Sequence, residues 1–147
     1  MLILFAAGGS LALLIAALGF QFIGDMAPCK LCIWQRYPHG VAVLCGVIAL
    51  ALKDRIWCIL GACAAAASGF VGAYHTGVER DWWEGPTTCT SGAINDISAK
   101  DLMTQILNAP LVRCDDVAWE MFTLSMASWN AIASFALAGL WIIAARR

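Results

Sequence analysis

The chain reads as an all-α integral membrane protein, an antiparallel four-helix bundle with one long extracytoplasmic loop. Three observations predict this. Of its 147 residues, 61% are hydrophobic and only 13% charged, more apolar surface than a soluble domain of this size hides. Four apolar runs, at about 2–23, 33–52, 56–74 and 121–145, each approach the ~20 residues of a spanning helix. Most of the polar residues collect between the third and fourth runs, at 76–120.

The first run lacks a basic leading segment and is too long for a signal core, so it is expected to remain as a helix. It carries Gly8, Ala12 and Ala16 one turn apart. The third carries Gly61, Ala65, Gly69 and Ala73 in the same way. Such stripes let helix backbones approach closely where lipid supplies no hydrophobic drive. The link between runs two and three is Lys53-Asp54-Arg55, and the chain ends in Arg146-Arg147. Short basic segments stay on the cytoplasmic side, which places loops 24–32 and 76–120 together on the outer face. Trp34, Tyr37, Trp82, Trp83 and Trp119 suit the outer interface, Trp57 and Trp141 the inner one. Within the long loop, Ala99, Leu102, Met103, Ile106 and Leu107 repeat at helical spacing. Ser98 and Asp101 offer a capping box and Pro110 a stop, so a short amphipathic helix is expected, lying in the interface plane or on the outer end of the bundle.

Chemistry concentrates in the cysteines. Cys29 and Cys32 stand at the mouth of the second helix, Cys89 and Cys114 in the long loop; Cys45, Cys58 and Cys63 fall within apolar runs. A CxxC pair can close a small disulfide, and a helix amino end favours a thiolate. Arg36 lies one turn beyond Cys32 on the same face. An arginine at that depth calls for a polar partner, such as the Cys32 thiolate or a ligand carbonyl, unless it snorkels to headgroups. His75, at the outer end of the third helix, should match this depth; a contact with Glu79 one turn on is the plainer alternative. Gln35 and His39 share roughly this face, and Asn130 is expected to act as packing glue. Cys58 and Cys63 are offset by about 7.5 Å along a helix and point apart, so they and Cys45 read as apolar filler. No metal site is expected, because zinc ribbons use two CxxC knuckles and Cys89 and Cys114 stand 25 positions apart. Neither a basic nucleic-acid patch nor a phosphate-cradling glycine loop is present.

Three segments together resemble the DsbB family, bacterial disulfide-bond-formation membrane proteins. They are Cys29-Lys30-Leu31-Cys32-Ile33-Trp34-Gln35-Arg36, Tyr74-His75-Thr76-Gly77 leading to Cys89, and Arg113-Cys114-Asp115 leading to the last helix. The resemblance implies a thiol:quinone oxidoreductase of the bacterial inner membrane with its active cysteines facing the periplasm. By that likeness Cys89 forms a mixed disulfide with a DsbA-like thioredoxin-fold protein. Cys114 is the disulfide partner of Cys89 and then engages Cys29. Cys32 meets the quinone, ubiquinone or menaquinone, with Arg36 beside it and His75 in the quinone-contact region. In that well-known route DsbA lies near about −120 mV, so an acceptor of still higher potential is required. Alternatives are a vitamin K epoxide reductase-like enzyme, for which the CxxC would be expected before the last helix, a DsbB relative dedicated to one partner, and a non-enzymatic membrane metal-binding protein.

Overall fold

A computed structural model of the chain describes residues 1–86 and 112–146. Four helices make up the bundle: α1 (Leu2–Phe22), α2 (Lys30–Leu52), α3 (Arg55–Glu79) and α4 (Met126–Ala145). A two-stranded hairpin, β1 (Glu120–Met121) and β2 (Leu124–Ser125), precedes α4. The segment expected to hold the amphipathic helix 99–107, and Cys89 with it, lies outside the described residues.

Each helix start has a local cause. Cys29 caps α2, its Sγ accepting the Cys32 amide at 3.1 Å. Asp54 caps α3 through the Ile56 amide at 3.0 Å, and Ser125 caps α4 through the Ser128 amide at 3.2 Å. Lys53 ends α2 in the left-handed region at φ 55°, so two residues suffice to reverse the chain. Pro38 leaves α2 continuous.

The helices stand in a ring, α1 against α2 and α4, α3 against α2 and α4, with α1 and α3 barely touching. Cross-links fix their directions. Ser68 on α3 donates to the Gln35 carbonyl, and Arg36 on α2 reaches Ala17 and Gln21 on α1. His39 bonds Asn130 and Ser134 on α4. Neighbours around the ring therefore run antiparallel, as expected.

The distribution of side chains is that of a protein in lipid. Leu4, Phe5, Leu11, Ile15 and Leu18 of α1 face outward, while Ala6, Ser10, Gln35, His39, Ser68 and Ser134 are buried. Small and polar residues inside with large apolar ones outside is the reverse of a soluble bundle. By length and composition α1, α3 and α4 can cross a membrane. The 23-residue α2 is comparably long, and its polar stations, Lys30, Gln35, Arg36 and His39, belong to the site described below.

Several expectations are corrected. Gly8, Ala12 and Ala16 face outward; Ala6 and Ser10 are the inward residues of α1. On α3, Gly61 and Ala65 face in as expected, whereas Ala73 is exposed and Gly72 takes the buried position, its backbone lying against Ala127 and Ala131. Trp141 is no interfacial anchor. It is fully buried, its indole lying over Gly61, where only a residue without a Cβ leaves room, while Gly46 makes such room for Ala7 of α1. Helix α3 runs five residues past the expected 74, tied by the Thr76 hydroxyl to the Gly72 carbonyl and by the Trp83 indole N–H to the Tyr74 carbonyl. The fourth apolar run opens as the hairpin instead of helix, because Phe122 and Thr123 turn at positive φ (53° and 62°).

Candidate thiol redox site

At the end of the bundle where α2 begins and α3 finishes, Cys29, Leu31, Val78 and Cys114 form one buried cluster, with Cys32 and Val112 packed against it. The cap geometry of α2 places Cys29 just before the first turn and Cys32 within it. Cys114 comes from the segment before the hairpin. Cys114 is disulfide-bonded, whereas Cys29, Cys32, Cys45, Cys58 and Cys63 are free thiols. Burial hides Cys45 and Cys58 in the apolar interior, and Cys63 is exposed on the lipid-facing surface.

His75 lies at the centre of this cluster. Its Nε2 is 3.6 Å from Cys29 Sγ, 3.1 Å from the Cys114 carbonyl oxygen and 3.8 Å from Glu79 Oε1. The Glu79 carboxylate accepts from the Ser125 hydroxyl. On the other side of the ring, Nδ1 meets Gln35 Nε2 at 2.9 Å. Gln35 also donates to the Leu31 carbonyl at 3.2 Å, and its Oε1 accepts from Asn130 Nδ2 at 2.8 Å. Asn130 Nδ2 reaches Ser68 Oγ at 3.2 Å, and its Oδ1 lies 3.1 Å from His39 Nε2. One buried polar chain thus joins α2, α3 and α4, and it locks the first turn of α2 to His75.

Arg36, next to Gln35 on α2, turns toward α1. Its guanidinium donates to Gln21 Oε1 at 2.5 Å and to the Ala17 carbonyl at 3.3 Å, both on α1. These are the polar partners that an arginine at this depth demands. A cavity of about 350 Å³ opens alongside. Leu13, Leu14, Ala17 and Phe20 of α1 give it apolar walls, and Cys29, Cys32, Arg36 and His75 also line it. The Cys29 thiol is pushed up from its ordinary pKa, first by the side-chain hydrogen bond with the Cys32 sulfur and then by burial, against the lowering pull of the Cys32 amide. A proton shared by the CxxC pair therefore stays on Cys29. Beside Cys114, the exposed Arg113 guanidinium holds the half-buried Asp115 carboxyl below the usual carboxylate range.

The family model described as "Disulfide bond formation protein DsbB" matches residues 1–144. The chain belongs to the DsbB family. Relatives named "Disulfide bond formation protein B" agree: one from Verminephrobacter eiseniae is 31% identical, covering 90% of this chain and 77% of its own. One from Shewanella sp. strain MR-4 is 30% identical over 86% of this chain and 75% of its own. One from Shewanella frigidimarina is 30% identical over 91% and 82%. No solved structure matches the sequence. The chain is thus a membrane protein of disulfide-bond formation, with oxidoreductase activity implied by its family.

For a DsbB family member the geometry gathers Cys29, Cys32, Cys114, Arg36 and His75 at one end of the bundle; Cys89 falls outside the described residues. Sequence reasoning passed over Gln21, whose carboxamide receives Arg36. A glutamine near the end of an otherwise apolar run was the available signal. Asn130 is the packing glue expected, bonding Gln35, Ser68 and His39 on neighbouring helices, and through Gln35 it also bears on the site. Among the described residues, the ligand atoms of Cys29, Cys32 and His75 lie within 4.8 Å of one another, a spacing a metal ion could bridge. Against that use, the amide of Gln35 donates to Nδ1, so Nε2 carries the hydrogen and has no lone pair to offer.

Proposed function

We propose that this chain oxidises a DsbA-like thioredoxin-fold dithiol protein and passes the electrons to a membrane quinone, ubiquinone or menaquinone, thereby making disulfides de novo. The observation that carries this reading is the meeting of Cys29, Cys32 and Arg36 on one largely apolar cavity while Cys114 shares a buried cluster with Cys29. The donor set suits a quinone head group. Apolar walls from α1 accept a ring, a cavity above 300 Å³ is of ligand size, and Arg36 has N–H donors beyond those given to α1. Bound there, a quinone supplies a two-electron acceptor.

The chain's own residues do the rest. Cys89, with Cys114 as its disulfide partner, meets the substrate dithiol. Cys114 then engages Cys29, and Cys32 is the sulfur from which the electrons leave. Its place in the first turn of α2, at the positive end of the helix dipole, favours a thiolate. With Cys29 bonded to Cys114, the charge rests on Cys32. Arg36, one turn from Cys32 on α2, balances that charge. The basic Lys53–Arg55 link and terminal arginines orient the bundle in the bacterial inner membrane, with the outer end in the periplasm.

The test mixes detergent-purified protein, reduced partner and either quinone, following quinone absorbance. Cys29→Ser, Cys32→Ser, Cys89→Ser and Cys114→Ser each abolish turnover, while Cys45→Ser retains it. Turnover surviving in Cys32→Ser contradicts the assignment. A metal-binding role is the second reading, favoured by the convergence of Cys29, Cys32 and His75; stoichiometric zinc in protein isolated under reducing conditions, with no quinone-dependent thiol oxidation, would decide for it.

A further inference from the structure

We propose that His75 is a positioning residue for sulfur exchange between the two cysteine pairs, its Nε2–H holding Cys29 and Cys114 within reach of each other. The inference rests on the exchange step in the function proposed above and adds to it the device that aligns the two sulfurs.

The hydrogen-bond pattern assigns the tautomer. Asn130 Nδ2 donates to Gln35 Oε1, so the Gln35 carboxamide has its nitrogen left for the Leu31 carbonyl and for His75 Nδ1. A ring nitrogen that accepts leaves the other to donate, so the neutral imidazole carries its hydrogen on Nε2. That hydrogen faces the Cys114 carbonyl at 3.1 Å and Cys29 Sγ at 3.6 Å. Cys29, His75 and Cys114 are 5%, 3% and 1% exposed, so water does not compete for these contacts. Glu79 Oε1 is the remaining neighbour of Nε2, at 3.8 Å, and it is held by Ser125. A single N–H thus spans the residue that opens α2 and the residue that brings the loop sulfur.

The step served is balanced. The Cys114 thiolate attacks Sγ of Cys29 in a Cys29–Cys32 disulfide. The Cys29–Cys114 bond forms, the Cys29–Cys32 bond breaks, and Cys32 leaves as a thiolate with the electron pair. No outside oxidant enters. His75 changes how often the two sulfurs meet in line, and misplacing reacting atoms by about 1 Å can cost on the order of a hundred-fold.

The test uses the full chain carrying Cys32→Ser and Cys89→Ser, equilibrated in detergent with reduced and oxidised glutathione. Mass spectrometry under non-reducing conditions then gives the effective concentration of Cys29 for Cys114. Adding His75→Ala lowers that concentration about ten-fold or more, whereas His75→Gln, which keeps an N–H donor, stays within about three-fold of the parent. His75→Leu keeps the volume without the donor and replaces the alanine variant if that one loses its helical circular dichroism. An unchanged effective concentration in His75→Ala or His75→Leu overturns the inference, as does a loss in His75→Gln equal to theirs. No quinone is present in this assay. A His75-dependent coupling in a protein that fails to reduce quinone would support the inference and overturn the acceptor reading alone.

Discussion

Asn130 ties the site to the bundle, and its replacement by leucine tests that tie quantitatively. Its amide donates to Gln35 Oε1 and Ser68 Oγ, and its carbonyl oxygen faces His39 Nε2. Three hydrogen bonds between helices are therefore lost at once. Inside membrane proteins such bonds average ~0.6 kcal/mol each and reach about 1.7, so the loss should be roughly 2–5 kcal/mol. Leucine keeps the branched shape without donors or acceptor, which avoids a cavity, while its bulkier methyl groups add some overpacking to the loss. Unfolding in mixed micelles of increasing sodium dodecyl sulfate, followed by far-ultraviolet circular dichroism, reads the change. The same variant frees Gln35 to turn, so the lock on His75 Nδ1 weakens and thiol oxidation should slow. A variant with both the unfolding midpoint and the oxidation rate of the parent would refute the idea that this buried chain organises the site.

Three further outcomes follow from the packing and the charges. Gly61→Ala puts a Cβ within 2.9 Å of the Trp141 ring and should destabilise by about 1–3 kcal/mol, whereas Gly8→Ala meets nothing within 4 Å and should be neutral or stabilising by up to ~1 kcal/mol; the same detergent titration compares them. Replacing Phe122-Thr123 with Asn-Gly relieves two non-glycine residues at positive φ and should raise stability by roughly 1–3 kcal/mol, a rise that a lowered thermal midpoint would contradict. Because the Cys29 pKa is raised, the thiol should resist iodoacetamide at neutral pH. Its modification should accelerate only above the ordinary thiol value of about 8.5, and rapid labelling of Cys29 at pH 7 would show that the proton is not held there.

The helical segments were legible because spanning helices need long apolar runs, and the sulfur chemistry because CxxC, Arg36 and Cys114 keep a recognisable order. The orientation of each helix was far less so. In α1 nearly every residue is apolar, and lipid and core are equally tolerant of leucine, so Gly8, Ala12 and Ala16 gave no reliable pointer to the inside. Trp141 resembled an interfacial anchor from its position near the chain end; Gly61, distant in sequence, makes room for it. The partners of Arg36 come from α1, and those of His75 from the start of α2 and the segment before the hairpin, which no spacing rule connects. The hairpin escaped notice because Phe122-Thr123 lacks the asparagine and glycine that usually occupy such a turn.

The central claim is that electrons from substrate thiols leave through Cys32 into a membrane quinone. It is tested most directly by stoichiometry, in an anaerobic mixture of the purified chain, excess reduced thioredoxin-fold partner and a limiting known amount of quinone. The account predicts one hydroquinone formed for each partner disulfide, with oxidation stopping when the quinone is spent. Disulfide formation that continues beyond the quinone supplied, or quinone left oxidised as the thiols disappear, would contradict it.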